Sequence, residues 1–247
     1  MSQHQKKLLV AGYYGFGNTG DEAILSVMIQ DLLESIPDGK FTVVSGNPED
    51  TESSHGVKAI SWKDLLGIVS EMTLADLVIL GGGGLFHDYW GFDPATVLTT
   101  KHTGIAFYAS IALLASLLEK PLMLYAVGVG PLRSELGRTY TQATAGLAQL
   151  ISVRDEASQT LLESLGVDPE LIHLTADPAF RLSPSLRGLK GRDKPGNEGP
   201  LLGLSLRNWD VGVLPVYWER QVAEAVDSFL DTHGGTAVFI PFQDQSE

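Results

Sequence analysis

Gly81-Gly82-Gly83-Gly84 follows the apolar run Leu77-Val78-Ile79-Leu80. The pattern predicts a strand that ends in a glycine turn ahead of a helix. Unshielded backbone N–H groups at such a turn form an anion-binding concavity, and the absence of Cβ atoms lets a phosphate or carboxylate approach closely. One glycine would be better explained by a tight turn under a packed helix. Four in a row, beside a second glycine-rich turn, favour an anionic ligand. That second turn, Gly12 to Glu22, follows Leu8-Leu9-Val10-Ala11 and precedes apolar residues at helical spacing, Ile24, Met28, Leu32 and Ile36. Gly15-x-Gly17-x-x-Gly20 matches the dinucleotide fingerprint in form, yet Asp21 and Glu22 stand where a pyrophosphate would lie and would repel it. The next strand, Phe41 to Ser45, also ends in Ser45-Gly46-Asn47 without the acid that holds a ribose. A nicotinamide dinucleotide is therefore discounted. Against a helix dipole the two carboxylates contribute about 0.3–1 kcal/mol each, a role compatible with binding a substrate hydroxyl.

Those turns need a sheet to hold them. The apolar runs near 41–45, 76–80, 122–127, 150–153 and 171–174 alternate with helical patterns near 22–36, 104–118, 138–149 and 155–165. Runs apolar throughout, such as Leu122 to Val127, are buried on both faces, which predicts a Rossmann-like α/β domain with a parallel sheet. In such sheets ligands bind beyond the carboxyl ends of the strands. The turns at 12–20, at 81–84 and at Gly128-Val129-Gly130-Pro131 all fall there. Residues 1–182 form this domain, 183–200 have the Pro, Gly and charge content of a linker, and 201–247 begin a second α/β unit. That unit has two strands (201–206, 237–240) and one helix (217–232), too little to bury its own faces, so the chain is expected to be a fragment or to be completed by something else.

Composition narrows the chemistry. The 247 residues, 44% apolar, suffice for a substantial core. A net charge of −13 without a basic cluster argues against nucleic acid as a partner. Without cysteine there are no disulfides, thiolate zinc sites or cysteine nucleophiles. His87-Asp88 alone does not make a metal site. The polar N-terminus, and an apolar stretch broken by Gly12, predict a cytoplasmic protein.

The ordered set Gly12 to Leu25, Gly81-Gly82-Gly83 with Asp88, Gly128 to Pro131, Val153-Arg154-Asp155-Glu156-Ala157-Ser158 and Asp177-Pro178 resembles the polysaccharide pyruvyl transferase family, particularly its CsaB-type bacterial members. The likeness covers about residues 7–182, and Leu204 to Arg207 with Pro241-Phe242 resembles the start of the family's second domain. It implies a GT-B-like architecture and transfer of the enolpyruvyl unit of phosphoenolpyruvate to a cell-wall sugar as a ketal. Phosphoenolpyruvate is then a donor substrate, no cofactor is needed, and a lipid-linked acceptor would bring the protein to a membrane surface.

Such a donor calls for an arginine at its carboxylate, amides or cations at its phosphate, and a general acid at its enol carbon. Arg154, at a strand end before Asp155-Glu156, is the first candidate for the carboxylate, pairing with those acids being its alternative. Arg207 is a second candidate, which the following Asn208-Trp209-Asp210 could equally hold as a loop ion pair. The glycines, Asn18, Asp21, Glu22 and Asp88 complete the expected substrate site, with Tyr13, Tyr14, Tyr89 and Trp90 available to a sugar. The family's histidine in an Arg-x-His motif has no counterpart here, which leaves His87 as the nearest substitute. The other histidines read as exposed, and Asp88 and Asp177 as orienting or capping groups. Two other classes remain open: a GT-B glycosyltransferase that uses a sugar nucleotide, and a non-catalytic anion- or sugar-binding domain.

Overall fold

Leu8 and Val10 on one side of a strand, and Leu9 and Ala11 on the other, are all buried, so helices must cover both faces. The structure, a computed structural model, describes residues 5–183, 199–207 and 214–242. Contacts divide the chain into two units, Met1–Leu182 and Ser183–Glu247. The first runs Lys7–Ala11 (β1), Thr19–Ser35 (α1), Lys40–Ser45 (β2), Pro48–His55 (α2), Lys58–Ser61 (β3), Leu65–Leu74 (α3) and Leu77–Phe86 (β4). It continues with Ile105–Leu117 (α4), Leu122–Val129 (β5), Glu135–Gly146 (α5), Leu150–Val153 (β6), Glu156–Ser164 (α6) and Ile172–Leu174 (β7).

All seven strands are parallel, in the order β3-β2-β1-β4-β5-β6-β7. Val10 of β1 lies beside Val43 of β2 and Ile79 of β4. The period-2 alternation of β1 sends Leu8 and Val10 to a cluster with Leu25, Met28 and Ile29 of α1. Leu9 and Ala11 enter the opposite cluster, with Ile68 and Met72 of α3 and Ile111 of α4. The α/β class expected from the apolar runs is the observed one.

Two corrections concern local structure. Gly81–Gly84 do not form a strand-to-helix turn: β4 continues through them to Phe86, with Gly81 opposite Tyr125, Gly83 opposite Val127 and Gly84 opposite Gly128. The glycines are required because this stretch bends and other groups fill their side-chain space. Gly82 and Gly83 have φ of 68° and 91°, and Cβ atoms there would collide with Ile24 and with Asp21. Gly128 and Val129 likewise belong to β5, and only Gly130-Pro131 lies beyond it. The segment between β2 and β4 also holds three elements that apolar spacing did not reveal. In α2 only Thr51 is buried, so that helix carries no apolar stripe, and β3 has four residues.

In the second unit Leu201–Leu204 (β8) pairs in parallel with Thr236–Phe239 (β9), and Pro215–His233 (α7) connects them. The first of these strands stops two residues short of its expected end. Most of the expected linker and Asn208-Trp209-Asp210 lie outside the described residues. Among the described residues no helix is long and apolar enough to cross a membrane.

Candidate anion-binding site

The loop after β1 closes on itself. The Asn18 side chain caps α1 by accepting from the Gly20 and Asp21 N–H groups at 3.0 and 3.3 Å. Glu22 Oε1 accepts from Gly15 N at 2.7 Å, and its Oε2 lies 3.4 Å from His55 Nε2. Gly15 and Gly17 have φ of 75° and 69°, and a side chain on Gly15 would strike Ser45. Tyr14 is fully buried; its hydroxyl donates to the Gly81 carbonyl. Burial, followed by the nearby Asp21 charge, pushes its phenol well above the ordinary range, so it stays protonated.

Several residues expected at the substrate also make internal contacts. Gly20 and the first-turn amides are held by Asn18, and Glu22 closes the loop instead of facing outward. Asp21 lies against the backbone of Gly83. Asp88 is 4% exposed and accepts from Arg133 N at 2.6 Å, Ser134 N at 2.7 Å and Ser134 Oγ at 2.6 Å. Burial alone would raise its carboxyl; the hydrogen bonds from Ser134 and Arg133 outweigh that and hold it below the ordinary range. Asp88 therefore braces the start of α5, whose N-cap is Ser134, with both oxygens used internally.

The histidines were also misjudged in part. His102 is fully buried between Trp62 and Phe107, with Nε2 2.9 Å from the Trp62 carbonyl. His55 is largely covered beside Glu22. The His87 ring packs 4.7 Å from Tyr89 and 5.5 Å from Trp90. Arg207 is exposed after β8, in the second unit.

Arg154 differs in its surroundings. It follows β6, and its guanidinium lies over the carboxyl ends of β4 and β5. Nη2 is 3.6 Å from where a Gly84 Cβ would stand, and Nη2 and Nε are each 3.1 Å from that of Gly128. Any larger residue at Gly128 would compete with the guanidinium for this space. Nη1 donates to Asp177 Oδ2 at 2.8 Å, and Asp155 Oδ2 lies 3.9 Å from Nε. Among the described residues Nη2 makes no hydrogen bond, which leaves donors for a ligand. The guanidinium lines an open cleft of about 430 Å³ together with Gly84, Gly128, Gly130, Pro131 and the first turn of α6. One cation, side-chain-free strand ends and a helix N-terminus converge there, a combination suited to a carboxylate or phosphate. Asp177 as the arginine's partner, and Tyr14 as the donor to the Gly81 carbonyl, carried no local signal, because both contacts join distant parts of the chain. Among the described residues no group of three or more His, Cys, Asp or Glu could hold a metal.

The unit is thus a parallel α/β domain with an arginine-lined cleft at the carboxyl edge of its sheet. Residues 18–246 match the polysaccharide pyruvyl transferase family, and the chain belongs to that family. No curated protein matches it in sequence. Among solved structures it is similar to the UDP-GlcNAc 2-epimerase of Methanocaldococcus jannaschii, at TM-score 0.59 and 12% identity over 95% of this chain and 65% of that one. Anabaena Alr3699/HepE in complex with UDP gives TM-score 0.57 and 13% identity, over 95% and 69% of the two chains. A Listeria monocytogenes protein described as a UDP-N-acetylglucosamine 2-epimerase gives 0.53 and 15%, over 96% and 63%. This chain therefore spans 63% of the length of that structure. At such identities the likeness concerns the fold, which is GT-B-like.

Proposed function

We propose that this chain supplies the donor-binding wall of a pyruvyl transferase, which moves the enolpyruvyl unit of phosphoenolpyruvate onto a sugar of a cell-wall polysaccharide or its lipid-linked precursor. The observation that supports this reading is the Arg154 guanidinium, held over Gly84 and Gly128 and lining the cleft. In the reaction C3 of the donor gains a proton, two sugar hydroxyls add to C2 and inorganic phosphate leaves. The two hydroxyl protons end on the new methyl group and on the phosphate, so the product is a pyruvate ketal. Arg154 holds the donor carboxylate, and the exposed edge of Gly84 and Gly130 with the start of α6 receives the phosphate. Arg207 is a candidate for a second cation. The surfaces near Asn18, Asp21, Tyr89 and Trp90 are candidates for sugar hydroxyls and rings. The work would be done in the cytoplasm, at the membrane surface when the acceptor is lipid-linked.

A second reading, a sugar-nucleotide enzyme, draws support from the GT-B-like neighbours, one of them in complex with UDP. Calorimetry with phosphoenolpyruvate and with UDP-N-acetylglucosamine separates the two. Binding of phosphoenolpyruvate that weakens at least tenfold in Arg154→Lys, with unchanged circular dichroism, is the expected result, since lysine keeps the charge and loses the planar fork. Binding of the sugar nucleotide alone would replace the first reading by the second.

A further inference from the structure

We infer that the turn after β4 and the loop after β5 form a second binding site beside the Arg154 cleft, made for a saccharide that carries negative charge, with Trp90 against the sugar ring and Arg133 at the anion. That this saccharide is the acceptor rests on the pyruvyl transferase reading; the binding site itself does not.

Trp90 sits on a well-braced turn. Gly91 N donates to the Asp88 carbonyl at 3.0 Å and Gly91 has a φ of 90°, which puts Tyr89 and Trp90 at the two corners. The buried Asp88 carboxylate ties this turn to the next loop by accepting from Arg133 N and from both donors of Ser134. Gly130 N donates to the Phe86 carbonyl at 2.7 Å and joins the same two loops at their base. Arg133 is thereby held against the turn: its guanidinium carbon lies 5.8 Å from the centre of the Tyr89 ring, within cation–π range. Pro131, which lines the Arg154 cleft, is joined to Arg133 through Leu132 alone.

Two features point to a ligand. Arg133 is exposed, and among the described residues its guanidinium makes no hydrogen bond and no ion pair, in a chain with 30 acidic to 17 basic residues. The Tyr89 ring steadies the charge without taking an N–H, which leaves the guanidinium donors for an anion. Trp90 is 63% exposed although its ring packs 5.8 Å from Tyr89 and 5.5 Å from His87. An indole fixed by its neighbours and still open to solvent is a plane for the C–H face of a sugar ring. Plane and cation together fit a sugar that bears a phosphate or a carboxylate. Either anion pairs with the guanidinium, and a neutral sugar would leave it idle.

The test titrates glucose, glucose 1-phosphate and glucuronate into the full chain, followed by calorimetry and by the indole N–H resonance of Trp90, which its loss in Trp90→Phe assigns. That resonance should shift, and the better of the two charged sugars should bind about tenfold tighter than glucose, the effect of one charged hydrogen bond. Arg133→Gln, with unchanged circular dichroism, should cut that preference to about twofold, and Trp90→Ala should weaken all three sugars. Which charged sugar binds better tells whether the site serves a sugar phosphate or an acidic sugar. Equal affinity for all three sugars, a preference that survives Arg133→Gln, or a Trp90 resonance that no sugar moves would overturn the inference. Phosphoenolpyruvate is titrated separately into wild type: if it fails to bind while a charged sugar binds, the pyruvyl transferase reading falls and the saccharide site stands.

Discussion

The Tyr14 hydroxyl donates to the Gly81 carbonyl, so that a side chain from the loop after β1 reaches β4, its ring against Gly12 and its hydroxyl beside Gly82. The crevice between β1 and β4, where the strand order reverses, is the usual ligand position in such sheets. Here it is packed with protein, and the open cleft lies further along the edge at β5 and β6. Tyr14→Phe should cost about 1–3 kcal/mol of stability, the penalty for a buried group left without its partner. Urea denaturation would measure the loss. Affinity for phosphoenolpyruvate should stay within about twofold, since the ring still fills the gap.

The four glycines of β4 should not respond alike to substitution. Gly82→Ala places a Cβ against Ile24 at a φ of 68°, and strain together with overpacking should cost about 2–5 kcal/mol. At Gly84 the nearest atom to a new Cβ is Arg154 Nη2 at 3.6 Å, an ordinary contact. Gly84→Ala should therefore fold normally while weakening phosphoenolpyruvate severalfold by narrowing the approach to the fork. Thermal melts beside calorimetry would separate the two effects. Equal stability loss at both positions would refute the assignment of Gly84 to the cleft.

Asp88 links acid stability to the start of α5. Its folded-state carboxyl lies below the ordinary value of 3.8. The charged form therefore contributes stability that is fully present above about pH 4 and is lost as pH falls through the folded-state value. Asp88→Asn should be less stable than wild type by about 1–3 kcal/mol at pH 7. The difference should shrink on acidification below pH 4, as followed by denaturant titrations at stepped pH.

His102 acts at higher pH. Burial pushes its imidazole below the ordinary value of 6.5, against the opposing effect of the bond to the Trp62 carbonyl. Among the described residues its Nδ1 is buried without a hydrogen-bond partner, so a second ring proton would have no acceptor. Between pH 6.5 and the lower folded-state value the unfolded chain binds more protons, and stability falls as pH drops. Melting temperatures at pH 7.5 and 5.5 should differ more for wild type than for His102→Gln, whose side chain can still donate to Trp62.

Local patterns carried the sheet and missed what crosses it. The β1 glycine turn, the largely apolar α4 and β5, and the position of Arg154 at a strand end are each written in a few neighbouring residues. The elements from 48 to 74 were hidden because α2 is polar almost throughout and β3 is four residues long. Gly81–Gly84 resemble a turn in sequence, since glycine serves both a turn and a bent strand crowded by Ile24, Met28 and Asp21. The internal contacts of Asn18, Glu22 and Asp88 were not legible, because a carboxylate or amide at a strand end looks the same whether it caps a helix or binds a sugar. Only the partner atoms distinguish the two.

The strand order also shapes how the chain is made. As it leaves the ribosome, β1 finds β2 promptly, but its other edge waits for Leu77–Leu80 of β4, on the order of several seconds at ordinary synthesis rates. Through that interval one edge of a buried central strand is open to a wrong partner. Arg181, which pairs with Asp31 across a separation of 150 residues, emerges last of the groups that hold α1. Nascent chains arrested before and after residue 181 should differ in protease resistance at α1, the longer one surviving; identical digestion patterns would show that the helix is secured without its late cation.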